Sequence, residues 1–319
     1  MCYHINMEYS DLGGIRSSRL VLGCMRIADK PRVDTERLLD AALEAGVNTL
    51  DNADIYGGGT CESIIGDILK DKPSLRDSFV LQTKCGIRSG WYDLGYKHIT
   101  ESVDGSLRRL CTDSIDILLL HRPDTLMRPQ EIARAFDELQ KSGKVKVFGV
   151  SNFSAQQVDY LQSVVNQKLY VNQLQMSPTH CPLVDFGINV NTQKPEACDR
   201  DGGALEYCRK NGVTIQTYGT VQCSFTDESG FSFSGSIFAE PAKKKYFSLD
   251  FTLRGLAQKY GVTPDAIAVK WILHHPADMQ AIVGTTSAKR MLDYKDCCSV
   301  PLTDCEWYEI YRSAGHTLP

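Results

Sequence analysis

A closed (β/α)₈ barrel is the fold this sequence predicts, and three observations predict it. Eight short, mostly apolar runs alternate with stretches at helical spacing along 319 residues. The helical stretches stop repeatedly at glycine, at Gly46, Gly143, Gly212 and Gly261, where a left-handed residue closes a helix without a Cβ penalty. No linker or shift in composition divides the chain, so one domain spanning residues 1–319 is expected. Apolar strands alternating with helices suit a parallel sheet covered on both faces. Eight regular units favour closing that sheet into a barrel over leaving it open and doubly wound.

Taken in order, Met7–Ser10, Asp11–Gly14 and Ile15–Ser18 read as two short strands about a glycine turn, a hairpin that covers one end of the barrel. The first barrel strand is Arg19–Gly23. Asp34 caps the helix Thr35–Ala45, whose Leu38, Leu39 and Leu43 share a face. The second strand runs through Val47–Leu50, the third through Phe79–Lys84 and the fourth through Ile115–His121. Helices near 100–111 and 129–142 flank the fourth, and Val145–Asn152 forms the fifth. Ser154 caps a helix to about Val165, and the sixth strand is Leu169–Gln175. Helix 203–211 precedes the seventh, Val213–Gly219. Helix 249–260 gives way to one with Thr263 as cap and Pro264 in its first turn, where proline's missing N–H leaves nothing unpaired. The eighth strand, Gln280–Thr285, leads to helices near 287–297 and 304–313. Irregular stretches at about 178–202 and 220–248 make long loops after strands six and seven, and loops of that length usually shape a binding site.

Composition narrows the function. Lys and Arg number 35 against 39 Asp and Glu, a net charge of −4, with no basic block to suggest a nucleic-acid partner. No apolar run approaches the roughly 20 residues that span a bilayer, and the first residues lack the basic and apolar regions of a signal peptide. The twelve cysteines form no C-x-x-C pair, which fits reduced thiols, a cytoplasmic location and no metal site.

The chemistry concentrates at three successive strand ends. Asp51 closes the second strand, Lys84 the third and His121 the fourth, while Tyr56 sits in the loop after the second. In barrels of this class the active site forms at that end. Lys84 beside Tyr56 favours the tyrosinate, because a nearby positive charge lowers the pKa of an acid. Asp51 holds Lys84 charged, Tyr56 exchanges a proton with a substrate oxygen, and His121 donates a hydrogen bond to the same oxygen. Such a site suits carbonyl reduction, and the hydride must come from a nicotinamide or flavin, since no side chain supplies one. Met25, Trp91, Tyr92 and Arg122 lie just past strand ends and are expected in the substrate pocket, with His180 as a further contact. Their aromatic character points to a hydrophobic or aromatic carbonyl.

These residues fall within motifs that resemble the aldo-keto reductases: Asp51-Asn52-Ala53-Asp54-Ile55-Tyr56-Gly57, Thr83-Lys84, Leu120-His121, Gly149-Val150-Ser151-Asn152, Asn172-Gln173 and Val283-Gly284-Thr285. They occur in the family's order over about residues 19–295. The wording Asp54-Ile55-Tyr56-Gly57-Gly58 and Leu120-His121-Arg122-Pro123-Asp124 is similar to a bacterial branch of oxidoreductases. The resemblance implies a tetrad of Asp51, Tyr56, Lys84 and His121, with Tyr56 as proton donor. It implies NADPH (NADP⁺) bound extended across the barrel mouth, in keeping with the absence of a G-x-G-x-x-G turn. It places Ser151, Asn152 and Gln173 on the carboxamide, Tyr218 on the nicotinamide ring and Gly219, Thr220 and Val221 at the pyrophosphate. Gly284, Thr285, Ser287 and Arg290 line the adenosine end, and Gly23, Met25, Arg26 and Asp51 complete the cofactor-facing set. Many members carry lysine where Gly284 stands. Arg290 supplies the other cation, and its fork binds phosphate well, so NADPH is expected over NADH. The partner is a small carbonyl or alcohol, with monomer and dimer both open. The resemblance also admits a second job, an NADPH-binding redox sensor or regulatory subunit with slow turnover.

Overall fold

The computed structural model describes residues 7–200, 202–226, 232–237 and 245–319. Eight parallel strands close a barrel: β1 (Leu20–Gly23), β2 (Thr49–Asp51), β3 (Val80–Cys85), β4 (Ile115–Leu120), β5 (Val145–Ser151), β6 (Leu169–Gln175), β7 (Thr214–Tyr218) and β8 (Gln280–Val283). β8 pairs with β1, Ala281 opposite Leu20, and so leaves the barrel no free edge. A hairpin of Tyr9–Leu12 and Ile15–Ser18 precedes it. Its Leu12 is fully buried against Ile117, Leu119, Val147 and Val171 of the barrel wall, which gives the expected hairpin its job as a plug.

The helical punctuation matches the sequence at most ends. Ser154 forms a reciprocal capping box with Gln157 ahead of Ala155–Gln162, and Thr263 caps Pro264–Leu273 through Ala266 N. Gly212 and Gly261 close their helices in the left-handed conformation. Asp34, by contrast, is no cap. Its helix begins earlier, at Arg32, behind Pro31, and Asp34 lies in the first turn, where its charge still suits the helix dipole. Two helices escape the sequence pattern, Thr60–Asp71 and Pro73–Ser78. The first has a clear apolar face of Ile65, Ile68 and Leu69, but Gly66 interrupts it. Neither long loop is irregular throughout. The loop after β6 contains the helix Pro182–Asn189, and the loop after β7 contains the paired strands Gln222–Thr226 and Ser232–Ser236. Among the described residues, no helix is long and apolar enough to cross a membrane, and the described cysteines are free thiols.

Gly66 shows why glycine stands inside a helix that otherwise reads well. A Cβ there would meet Arg109 O at 1.9 Å, so the helix Thr60–Asp71 rests directly on the backbone that ends Tyr96–Arg109. Alanine in a free helix gains about 1 kcal/mol over glycine, but forced separation of packed elements costs about 1–3 kcal/mol. Gly66→Ala is therefore expected to lower stability by up to about 2 kcal/mol in urea unfolding, and a gain in stability would contradict this packing.

Candidate active site

The site assembles at the carboxyl ends of β2, β3 and β4. β2 delivers Asp51 and β3 delivers Lys84, both buried. The chain then makes a tight turn over Tyr56–Gly59, with Gly57, Gly58 and Gly59 all at positive φ. Three consecutive residues can hold that conformation cheaply only as glycines, and the turn folds Tyr56 back over the lysine. Lys84 Nζ donates to Asp51 Oδ2 at 2.8 Å, Asn52 O at 2.7 Å and Tyr56 Oη at 3.0 Å. Its three donors thus find three acceptors. His121 follows β4 and meets the Tyr56 ring edge-on, centroids 5.9 Å apart at 79°.

The electrostatics follow from burial and partners. Burial pulls the Lys84 pKa down, but Asp51 and Tyr56 together outweigh it, and the ammonium is held above its ordinary value. Burial pushes the Tyr56 hydroxyl above 10, and the pull of Lys84 offsets this only in part. The expectation of a tyrosinate is corrected accordingly: desolvation outweighs the lysine, and Tyr56 is a protonated phenol. Burial, then Lys84 and Arg122, depress His121 to about 3. Its imidazole is neutral near pH 7, and its buried Nδ1 has no partner among the described residues.

Asp51 is positioned by two amides, Gln82, unassigned from the sequence, and Gln173, expected on the carboxamide. Its Oδ1 accepts from Gln82 Nε2 at 2.6 Å and Gln173 Nε2 at 3.0 Å. Register sets Gln173 beside Gln216 and Gln216 beside Gln280 on β6, β7 and β8. Gln216 bridges Gln82 and Gln280, and Gln280 donates to Ser17 Oγ at 2.8 Å in the plugging hairpin. Glutamines inside apolar strand runs need buried partners, and that signal was available. Behind β3 lies a second network, also unforeseen: fully buried Glu62 accepts from Thr83 Oγ1 at 2.5 Å and Arg109 Nε at 2.8 Å. Asp54 lies beside it, and burial and the Glu62 charge raise Asp54 to about 6.

A cavity of about 540 Å³ opens above the tetrad. Gly23, Met25, Arg26, Asp51, Tyr56, His121, Arg122, Ser151, Asn152, Gln173, Tyr218, Gly219, Thr220, Val221, Gly284, Thr285 and Arg290 all line it. Lys84 lies beneath. Tyr218 donates to Asn152 Oδ1 at 2.9 Å, and Asn152 is held at φ +64° with its Nδ2 on Ser151 Oγ at 2.9 Å. Ser287 does not line this cavity; it caps the helix Ala288–Tyr294 through Arg290 N. His180 lines a neighbouring cavity of about 440 Å³ that shares Arg122, Asn152 and Tyr218. Trp91 and Tyr92 join neither. They form a hairpin with Ile87–Arg88 and are 58% and 43% exposed.

The Aldo/keto reductase family model matches residues 19–314. The chain belongs to this family. It is 34% identical over 310 residues to a 6-dehydroglucose reductase of Agrobacterium fabrum, covering 93% of this chain and 94% of that one. A protein of the same description from Novosphingobium aromaticivorans is 31% identical over 316 residues, with 96% and 95% covered. The glycerol dehydrogenase structure from Gluconobacter oxydans superposes with a TM-score of 0.77 at 26% identity, covering 97% of this chain and 95% of that one. The protein is thus an oxidoreductase of a nicotinamide-using family. The cavity suits such a group. Its inner wall is polar at Ser151, Asn152 and Gln173, Arg290 supplies a cation, and a Cβ at Gly284 would meet nothing within 4 Å.

The raised Asp54 carboxyl carries a stability signature. Its folded value lies above its ordinary one, so its contribution is fully present below about pH 4 and is lost as pH rises through about 6. Asp54→Asn is expected to stabilise the fold by up to about 2–3 kcal/mol at pH 8 and by much less at pH 4. Thermal unfolding at the two pH values tests this, and equal effects at both would contradict it.

Proposed function

We propose that the protein reduces an aldehyde or ketone to its alcohol with NADPH, reversibly, with Tyr56 as the proton donor. The observation that carries this reading is the Tyr56 hydroxyl, 3.0 Å from the Lys84 ammonium, in the wall of the cavity. A reduced nicotinamide, when bound, supplies the hydride. Ser151, Asn152 and Gln173 would hold its carboxamide, Tyr218 its ring, Gly219, Thr220 and Val221 the pyrophosphate, and Gly284, Thr285 and Arg290 the adenosine end.

The chain's own residues manage the proton. Tyr56, kept protonated by burial, donates to the carbonyl oxygen as negative charge develops there. Lys84 stabilises the phenolate left behind, and Asp51 keeps Lys84 charged and aimed. His121, being neutral, donates a hydrogen bond to the same oxygen without competing as an acid. In the oxidative direction Tyr56 takes the proton back. Arg290 is exposed at the cavity, whereas Lys289 pairs with Asp293 at 2.9 Å. That leaves Arg290 as the fork for a 2′-phosphate, which favours NADPH over NADH.

For the substrate, the placement of Trp91 and Tyr92 outside both cavities removes the basis for an aromatic carbonyl. Arg122, Asn152 and His180 around the shared wall favour a hydroxylated, polar carbonyl compound. The relatives named 6-dehydroglucose reductase support an oxidised sugar.

NADPH oxidation is to be followed against oxidised sugars, aromatic aldehydes and ketones. Tyr56→Phe is expected to lose about 10²–10⁴-fold in kcat while still binding NADPH, and sugars are expected to turn over better than aromatic aldehydes. Tight NADPH binding with no turnover of any carbonyl would favour the regulatory reading instead. Because His121 is neutral over this range, kcat/KM for reduction is expected to show no histidine step between about pH 5 and 9; a step near its ordinary pKa would contradict the assigned role. Arg290→Ala is expected to raise the NADPH KM about 10–100-fold with little change for NADH, as loss of a charge-assisted hydrogen bond requires, and parallel losses for both cofactors would overturn that role.

A further inference from the structure

A second cluster of chemically complementary side chains lies outside the tetrad. Cys181 precedes the helix Pro182–Asn189, and Asp185 lies in its first turn. His316 belongs to the tail beyond the last helix, Asp304–Ser313. Although 135 positions separate Cys181 from His316 in sequence, their sulfur and ring nitrogens meet. His180, the residue next to Cys181, lines the cavity shared with Arg122.

We propose that Cys181, Asp185 and His316 bind one divalent metal ion of zinc type, tying the C-terminal tail to the loop after β6. The donor spacing carries this. His316 Nδ1 lies 3.3 Å from Asp185 Oδ1, and Cys181 Sγ lies 3.5 Å from that oxygen and 3.9 Å from Nδ1. Zinc bond lengths of about 2.0–2.3 Å in a tetrahedron require donor–donor edges of about 3.3–3.6 Å. Two edges already match. The third, 3.9 Å, is longer, and the imidazole must turn to close it, because the sulfur now lies nearer Nε2, at 3.2 Å.

The hydrogen bonds around the cluster point the same way. His316 Nε2 lies 2.9 Å from the carbonyl of Pro178 and donates to it. That leaves Nδ1 as the ring atom turned to the carboxylate oxygen, and a cation between them would take both as donors. A ring nitrogen donating to a backbone carbonyl is also the usual support of a metal-bound histidine. Tyr311 orients two of the ligands: its hydroxyl donates to Asp185 Oδ1 at 2.8 Å, and its ring stacks on His316 at 4.6 Å and 16°. A thiolate and a carboxylate together balance the charge of a divalent ion. The ion displaces the thiol proton, which leaves to solvent. Cys181 is buried, but the Asp185 and His316 side chains are each 15% exposed, which gives the ion access and leaves its fourth position to water. Leu183, on the same helix, lines the cavity that His180 shares with Arg122, so the clasp would also hold that wall.

The test is cobalt titration of the full-length chain after chelation and exchange into metal-free buffer. One equivalent of Co²⁺ is expected to give a thiolate-to-metal charge-transfer band with intense tetrahedral d–d absorption, and one equivalent of Zn²⁺ is expected to abolish both. Cys111→Ser, at an exposed cysteine remote from the cluster, should behave as wild type. Cys181→Ser should lose the charge-transfer band, and His316→Ala, a change in the tail that spares the core, should weaken binding at least tenfold. No stoichiometric uptake would overturn the proposal. So would a band that survives in both Cys181→Ser and His316→Ala, which would assign the metal to another thiol such as the adjacent Cys297 and Cys298.

Discussion

The buried ammonium of Lys84 is the constraint on which the site depends. Removing a charge from water costs several kcal/mol even after relaxation, and Lys84 is wholly out of solvent. It is tolerated because Asp51, the Asn52 carbonyl and the Tyr56 hydroxyl take its donors. Asp51 raises the same problem in turn, and the amides of Gln82 and Gln173 answer it. The chain of partners continues through Gln216 and Gln280 to Ser17. The barrel interior at this level is therefore a hydrogen-bonded ladder where aliphatic side chains are more usual. It links the reactive end to the hairpin that plugs the other. A ladder of this kind is costly to leave half satisfied, so it holds Asp51 in one orientation and, through it, Lys84 and Tyr56.

Desolvation, more than charge pairing, sets the protonation states around this core. It keeps Tyr56 a phenol and His121 a neutral imidazole, so each keeps one polar hydrogen at neutral pH. Behind β3, Glu62, Arg109 and Thr83 form a separate network in which Asp54 bears an uncompensated share of the burial cost. Asp54 belongs to the same Asp51–Gly57 segment as the tetrad, yet it faces away from the cavity. Adjacent residues of one motif thus serve two different environments.

Much of the fold and the cluster of Asp51, Tyr56, Lys84 and His121 was legible because both rest on local signals. Apolar runs with β-branched residues mark strands, and glycine, serine or threonine at helix ends mark boundaries, since those residues relieve local backbone costs. Legibility failed where local and tertiary demands conflict. Gly66 breaks a helical pattern because another backbone presses on it, and the helices Thr60–Asp71 and Pro73–Ser78 went unread. Trp91 and Tyr92 sit past a strand end like real pocket residues, but their short hairpin carries them into solvent.

The sequence by itself determined the eight strands, the placement of Asp51, Lys84 and His121 at three strand ends, and the Tyr56 turn that three glycines permit. Period, caps and turns depend on neighbours within a few positions, so the linear order contains them. Only the tertiary structure decided that the phenol of Tyr56 stays protonated, because desolvation depends on what surrounds a group from every side. It alone brought Gln82, Gln173, Gln216 and Gln280 into one ladder, through barrel register across strands far apart in sequence. And it alone set His316 against Cys181 and Asp185, since a tail folding back over a distant loop is a contact that no local pattern encodes.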